Sequence, residues 1–116
     1  MSNIPVKNMA IIDCYDKFFE YVYPIILNMS NKHKFLKDRL ANAAVSQYAL
    51  FHDAAKTNQK SKLYLLDSNI ALIKEILRLM VSSRRKLLSR NQYEVASVLL
   101  RETGSMVGSW INRAKG

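Results

Sequence analysis

Apolar residues recur at alternating spacings of three and four along nearly the whole chain. They form four stripes, which run from Ile11 to Met29, from Leu36 to Ala54, from Leu63 to Met80 and from Tyr93 to Trp110. An average spacing of about 3.5 residues keeps one face of a helix against its neighbours in a left-handed bundle. The alternating pattern typical of strands does not occur in these stripes. The pattern therefore predicts four amphipathic helices.

Polar residues mark the boundaries of the predicted helices. Ser30 and Asn31 are suited to cap the second helix, and Ser61 is suited to begin the third. Ser89, followed three residues later by Gln92, has the spacing of a capping box at the start of the fourth helix. Within a single domain that covers the whole chain, we expect helices at about 5–29, 32–56, 61–83 and 90–114.

Two prolines and the short connections complete the predicted fold. Pro5 suits a helix start, whereas Pro24 lies inside the first stripe and is expected to kink that helix because proline donates no backbone hydrogen bond. Short connections between long helices make sequence neighbours antiparallel. The expected fold is an all-α, antiparallel up-down four-helix bundle.

The charge of the chain is unevenly distributed. Lysine and arginine total 18 against nine acidic residues, for a net charge of +9. Nine of the 18 basic residues fall in two stretches, Lys32 to Arg39 and Arg78 to Arg90, and only Asp38 opposes them there. Antiparallel packing brings both stretches to one end of the bundle. Such a concentration of one sign favours a polyanionic partner, first nucleic acid, then an anionic membrane surface or an acidic protein.

Eight residues in the two stretches are candidates for contact with nucleic-acid phosphates. They are Lys32, Lys34, Lys37, Arg78, Arg84, Arg85, Lys86 and Arg90. Three tyrosines interleaved with polar residues are candidates for stacking on bases, although their spacing is more typical of packing at a helix boundary. These are Tyr48, Tyr64 and Tyr93.

Residues suited to catalysis or to metal binding are scarce. Cys14 lies among apolar positions, as a small core residue would, and a single cysteine excludes an internal disulfide. His33 and His52 belong to no Glu-x-x-His pair of the kind that holds metal ions in helical bundles. We therefore expect no enzymatic activity, no metal and no cofactor. The uncharged runs are shorter than the roughly 20 residues that span a bilayer, and the first residues lack a signal-peptide pattern, which predicts a cytoplasmic protein.

Gly104 and Gly108 stand four residues apart in the predicted fourth helix, in the segment ETGSMVGSW. Glycine in a helix interior costs up to about 1 kcal/mol relative to alanine, so the pair indicates that another backbone comes close. That backbone belongs either to a neighbouring helix of the same chain or to another subunit. Trp110 lies on the same face and is assigned to the core or to an interface.

Three segments carry a resemblance to a known family. They are YVYPIILNMSNKHKF, KLYLLDSNIALIKEILRLM and LLSRNQYEVASVLLRETGSMVGSWI, and together they extend from about Tyr21 to Ile111. The chain resembles the Avd-like four-helix-bundle family, the accessory variability determinants of diversity-generating retroelements. It is also similar to related bacterial proteins encoded in intervening sequences of large-subunit ribosomal RNA genes.

The resemblance implies a specific function. Proteins of the retroelement branch form a ring-like homopentamer with a positively charged surface, and they associate with reverse transcriptase and template RNA to support mutagenic cDNA synthesis. They are not enzymes. The basic composition favours this branch for the present chain. The alternative is a bundle of the intervening-sequence type that acts as a structural or protein-interaction module.

Overall fold

The structure is a computed structural model, and it describes residues 6–114. It contains four α-helices: α1 (Val6–Leu27), α2 (Lys34–Thr57), α3 (Lys60–Val81) and α4 (Arg90–Arg113). A 3₁₀ turn at Asn31–His33 lies between α1 and α2, and residues 6–114 form no β-strand. The predicted all-α class is confirmed. The observed bounds lie within two residues of the expected ones, except that the expected start at Pro5 lies outside the described residues.

Each of the four helices packs against two others of the same chain. α1 packs against α2 and α4, α3 packs against α2 and α4, and the backbones of the diagonal pairs stay farther apart within the described residues. The bundle measures 44 × 25 × 21 Å along its principal axes. Connections of a few residues join helices of about 22 residues, so successive helices run in opposite directions. This up-down arrangement places the α1–α2 and α3–α4 connections at the same end.

The core is built from the apolar stripes. Most stripe residues are buried, including Tyr15, Leu66 and Leu100, which have no exposed surface. The members that remain half-buried still pack against the core. They are Ile25, Leu36, Leu50 and Tyr93. The periodicity of the sequence therefore identified the inward face of every helix.

Polar side chains inside the core are paired. Gln47 is fully buried on α2, and its amide nitrogen donates a hydrogen bond to Leu66 O on α3 at 3.2 Å. The amide of Asn69 donates to Gln47 Oε1 at 2.8 Å and to Ala43 O at 2.9 Å. Because buried amides are costly when unpaired, these bonds favour one register of α2 against α3.

The helix caps agree with the sequence pattern in part. Ser89 and Gln92 form the predicted capping box at the start of α4. The prediction for Ser30 was wrong in one respect: its hydroxyl accepts from Lys32 N and caps the 3₁₀ turn, while α2 begins after His33 without a side-chain cap. The prediction for Ser61 was also wrong, since the residue that precedes α3 is Gln59. At the first place the Ser30 hydroxyl caps a 3₁₀ turn, and at the second the Gln59 carbonyl accepts from Lys62 N and Leu63 N; the residue types reveal neither arrangement.

Candidate nucleic-acid interface

The α3–α4 connection holds three consecutive basic residues, Arg84 to Lys86, in a defined turn. Ser82 O accepts backbone hydrogen bonds from Arg85 N at 3.0 Å and from Lys86 N at 2.8 Å. Lys86 has a left-handed backbone conformation with a φ of 53°. The chain then returns to the core through a bond from Leu87 N to Met80 O at 2.9 Å and through the buried Leu88. These hydrogen bonds fix the backbone that carries the three cations.

The two basic stretches meet at this end of the bundle, as the sequence predicted. Lys32 and Lys34, from the α1–α2 connection and the start of α2, line one surface cavity together with Arg85 of the α3–α4 turn. The cavity has a volume of about 460 Å³, and Leu36 and Leu79 add apolar surface to its lining. Arg85 lies 51 or more positions from both lysines in the chain, yet the three residues share a single surface. We call this end of the bundle, with its eight candidate cations, the basic end.

Two of the eight candidate cations bind backbone carbonyls. Lys37 Nζ donates to Met29 O and to Asn31 Oδ1, each at 3.1 Å. Arg85 Nη1 donates to Leu79 O at 3.2 Å. Carbonyls near helix C-termini lack intrahelical donors and carry partial negative charge, so cations stabilise them. Lys37 and Arg85 therefore help to build the basic end as well as contributing to its charge.

Two further candidates form surface ion pairs. Lys34 Nζ lies 2.7 Å from Asp38 Oδ2, and Arg78 pairs with Glu75 through its guanidinium. The hydrogen bond from Arg78 lowers the pKa of Glu75 and raises the pKa of Arg78. All four side chains are more than half exposed, and pairs of this kind contribute little to stability. A phosphate can therefore replace either carboxylate at small cost.

The side chains of the remaining four candidates are exposed and form no hydrogen bond or ion pair with residues 10–114. They are Lys32, Arg84, Lys86 and Arg90. Their charges are unneutralised and face solvent at or next to the turns of the basic end. These four residues are best placed to neutralise phosphates without first losing an internal contact.

Phe35 is a feature of the basic end that the stripe pattern does not identify. It is the second residue of α2, is 78% exposed and lines the same cavity as Lys32, Lys34 and Arg85. The stripe continues through its neighbour Leu36, which packs against the core. A large aromatic residue outside the stripe, between lysines, was the available signal in the sequence.

The three tyrosines considered for stacking do not line this cavity, although Tyr93 lies in the first turn of α4, at the same end of the bundle. Tyr48 is half-buried and donates to Asp16 Oδ1 at 2.6 Å, and Tyr93 is half-buried against the core. Tyr64 is 54% exposed, but it lies in the second turn of α3, toward the end opposite the basic end. None of the three lies beside the cavity formed by the two basic stretches.

The glycine pair of α4 does not mark a close approach between helices of this chain. Among the described residues, a Cβ atom added at Gly108 would meet no heavy atom within 4 Å, and one at Gly104 would meet only Lys74 Nζ, at 3.7 Å. Trp110 is 2% exposed and belongs to the core. Its indole donates to Asn58 Oδ1 at 2.8 Å. Intramolecular packing therefore requires glycine at neither position.

The residues considered for chemistry show no clustering in the described part of the chain. Within it, no three histidine, cysteine, aspartate or glutamate side chains lie close enough together to hold a metal ion. Cys14 is half-buried and lies 3.6 Å from Thr103 Oγ1, which is buried on α4. No helix of the structure is both long enough and apolar enough to traverse a bilayer.

Fold and surface together define a class: a basic, all-α bundle of four helices with half of its cations gathered at one end. The chain belongs to the bAvd-like family, whose sequence model matches residues 9–114. The match includes all the candidate residues of the basic end. A search of curated proteins found none that matches.

Proposed function

We propose that this protein is a nonenzymatic accessory protein of a diversity-generating retroelement. It binds template RNA and reverse transcriptase in the cytoplasm and supports mutagenic cDNA synthesis. The observation that carries this proposal is the meeting of two separate basic stretches at one end of the bundle, in a chain of the bAvd-like family. A phosphate-lined partner matches such a surface because each neutralised phosphate releases counterions.

The charges at the basic end favour RNA contact over a solvated helix terminus. Helix C-termini account for Lys37 and Arg85, which bind backbone carbonyls. They do not account for Arg84 and Lys86, whose side chains donate no hydrogen bond to residues 10–114. We therefore assign the unneutralised cations of the basic end to RNA contact.

Salt dependence of RNA binding tests this proposal. The double variant Lys32→Gln/Arg84→Gln removes two cations that make no internal contact through their side chains. Its matched control is Lys56→Gln/Arg113→Gln, which removes two exposed cations at the opposite end. With a labelled structured RNA, the logarithm of affinity should fall less steeply with the logarithm of salt concentration in the first variant, by about 0.7–0.9 per lost contact.

The outcomes separate the proposal from its alternative. An unchanged slope in the control and a shallower slope in the Lys32/Arg84 variant support RNA binding at the basic end. Equal slopes in both variants and the parent protein contradict it. A chain that binds no RNA even at low salt favours the structural or protein-interaction module of the intervening-sequence type, with the basic end as a docking surface for an acidic protein.

Assembly into a ring-like homo-oligomer, a pentamer according to the family resemblance, is part of the proposal. Gly108 supports it, because the space beside this glycine is open within the chain. Val98 supports it as well, since it is 45% exposed on the same helix. Light scattering coupled to size exclusion measures the mass directly. A mass of one chain at high protein concentration would contradict the ring.

A further inference from the structure

Phe35 has an exposed aromatic ring and lies among cationic side chains. Its side chain is 78% exposed, which makes it the most exposed of the large apolar residues in the described chain. The nearest acidic residue in sequence, Asp38, is already paired with Lys34. An exposed phenylalanine has no value for folding, because its apolar surface stays in water. Its ring is therefore available to a ligand.

The surroundings of Phe35 select the chemistry of that ligand. Lys32, Lys34 and Arg85 line the cavity beside the ring, and Arg85 is held in place by its bond to Leu79 O at 3.2 Å. A ligand that fits must combine a flat apolar face with negative charge a few ångströms away. An unstacked nucleotide has both, since every base offers a π face and every linkage carries a phosphate. An acidic peptide supplies the charge without the flat face.

We infer that Phe35 is a stacking platform for an unpaired base, and that the basic end therefore prefers single-stranded to double-stranded RNA. The inference rests on the proposed RNA-binding function and narrows its substrate class. In a duplex the bases are stacked on each other and do not reach an aromatic side chain at the surface. Phosphate contacts alone give no such preference.

Variants at Phe35 test the inference on the full-length chain. Phe35→Ala removes the ring without removing charge, Phe35→Trp keeps a ring, and Tyr64→Ala removes another exposed aromatic residue toward the opposite end. The probes are a labelled uridine-rich single strand and an RNA duplex with the same number of phosphates. A 2-aminopurine base in the single strand reports stacking through quenching of its fluorescence. Circular dichroism confirms that each variant is folded.

The expected result is specific to the single strand. Phe35→Ala should weaken single-strand binding by about tenfold and remove the quenching, with an unchanged salt slope, because stacking releases no counterions. Duplex binding should be unaffected, and Phe35→Trp and Tyr64→Ala should behave as the parent protein does.

Other outcomes overturn the inference in distinguishable ways. If the parent protein binds both RNA probes and Phe35→Ala binds each with the affinity of the parent protein, Phe35 is not a stacking residue. RNA binding at the basic end is then unaffected by this result. The same conclusion follows if Phe35→Ala weakens single strand and duplex alike. If the parent protein binds neither probe at low salt, the proposed function itself fails.

Discussion

Trp110 Nε1 donates a hydrogen bond to Asn58 Oδ1 at 2.8 Å and so links the last turn of α4 to the connection between α2 and α3. Trp110 is buried, whereas Asn58 is exposed and has a left-handed backbone conformation with a φ of 52°. Asparagine meets both requirements, because it tolerates this conformation and supplies the acceptor. One polar residue thus ends α2 and satisfies the indole.

Substitutions at Asn58 should separate these two roles. Asn58→Ala loses the acceptor and places a Cβ-bearing residue in a left-handed conformation, so it should lower the free energy of unfolding by about 2 kcal/mol or more. Asn58→Gly should cost less, since glycine adopts the conformation freely and only the hydrogen bond is lost. Urea denaturation followed by circular dichroism measures both. Asn58→Asp retains an acceptor and is the control; a cost for glycine equal to that for alanine would contradict the backbone role.

Tyr15 predicts a loss of stability in alkaline solution. Its hydroxyl donates to Ala44 O at 2.6 Å, and burial, with a smaller contribution from Tyr48, raises its pKa well above the ordinary value of about 10. The folded protein therefore keeps this proton at pH values where the unfolded chain has released it. The stabilisation that Tyr15 provides is therefore fully present below pH 10 and is lost progressively above it. The free energy of unfolding should fall as the pH rises above 10.

The variant Tyr15→Phe tests that dependence. It should cost about 1 kcal/mol at neutral pH, because the hydrogen bond to Ala44 is lost, and it should flatten the decline above pH 10. Denaturant unfolding at a series of pH values gives both quantities. Tyr64→Phe, at an exposed position, is the matched control and should leave the decline unchanged. A decline equally steep in Tyr15→Phe would show that other groups cause it.

Replacing Lys86 with glycine should raise the stability of the protein and weaken its RNA binding. Its left-handed backbone is unfavourable for any residue with a Cβ, so Lys86→Gly should raise the free energy of unfolding by about 1 kcal/mol. The same change removes a cation and should weaken RNA binding. Lys86→Gln removes the charge and keeps the unfavourable backbone, so it should weaken binding equally without the gain in stability. A glycine variant that is less stable than the parent protein would contradict the assigned turn geometry.

Gly108 provides a test of assembly. Because a Cβ atom there meets none of the described residues within 4 Å, Gly108→Ala should stabilise the isolated subunit by about 1 kcal/mol, measured by urea unfolding at concentrations where the chain is monomeric. At higher concentrations, light scattering should show a smaller mass than for the parent protein if another subunit approaches this glycine. A destabilised subunit would contradict the open space beside Gly108, and an unchanged mass would contradict its role in assembly.

Local sequence features predicted the helices well. Stripes of apolar residues located the inward faces, because burial follows the 3.6-residue repeat of the helix. The capping box at Ser89 and Gln92 was also predictable, since both its hydrogen bonds lie within four residues. The meeting of Lys32 and Lys34 with Arg85 followed from helix number and connection length alone.

Contacts outside the regular helix repeat were not predictable from such features. Lys37 binds Met29 O and Arg85 binds Leu79 O, although the sequence assigns both simply to the charged surface. Ser30 caps a 3₁₀ turn whose existence depends on how α1 and α2 meet. The exposure of Phe35 depends on where α2 begins relative to the α3–α4 turn, and helix periodicity does not report that position.

By itself the sequence determined the four helices, their buried faces, the end at which the basic residues gather and the resemblance to a family. The helices and their buried faces depend on the apolar repeat, which is a local property. Only the tertiary structure decided which cations remain unneutralised, that Phe35 lies beside Lys32, Lys34 and Arg85, and that Trp110 pairs with Asn58 of the α2–α3 connection. Those properties depend on side chains from different helices meeting in space, because hydrogen bonds and exposure require a specific three-dimensional arrangement.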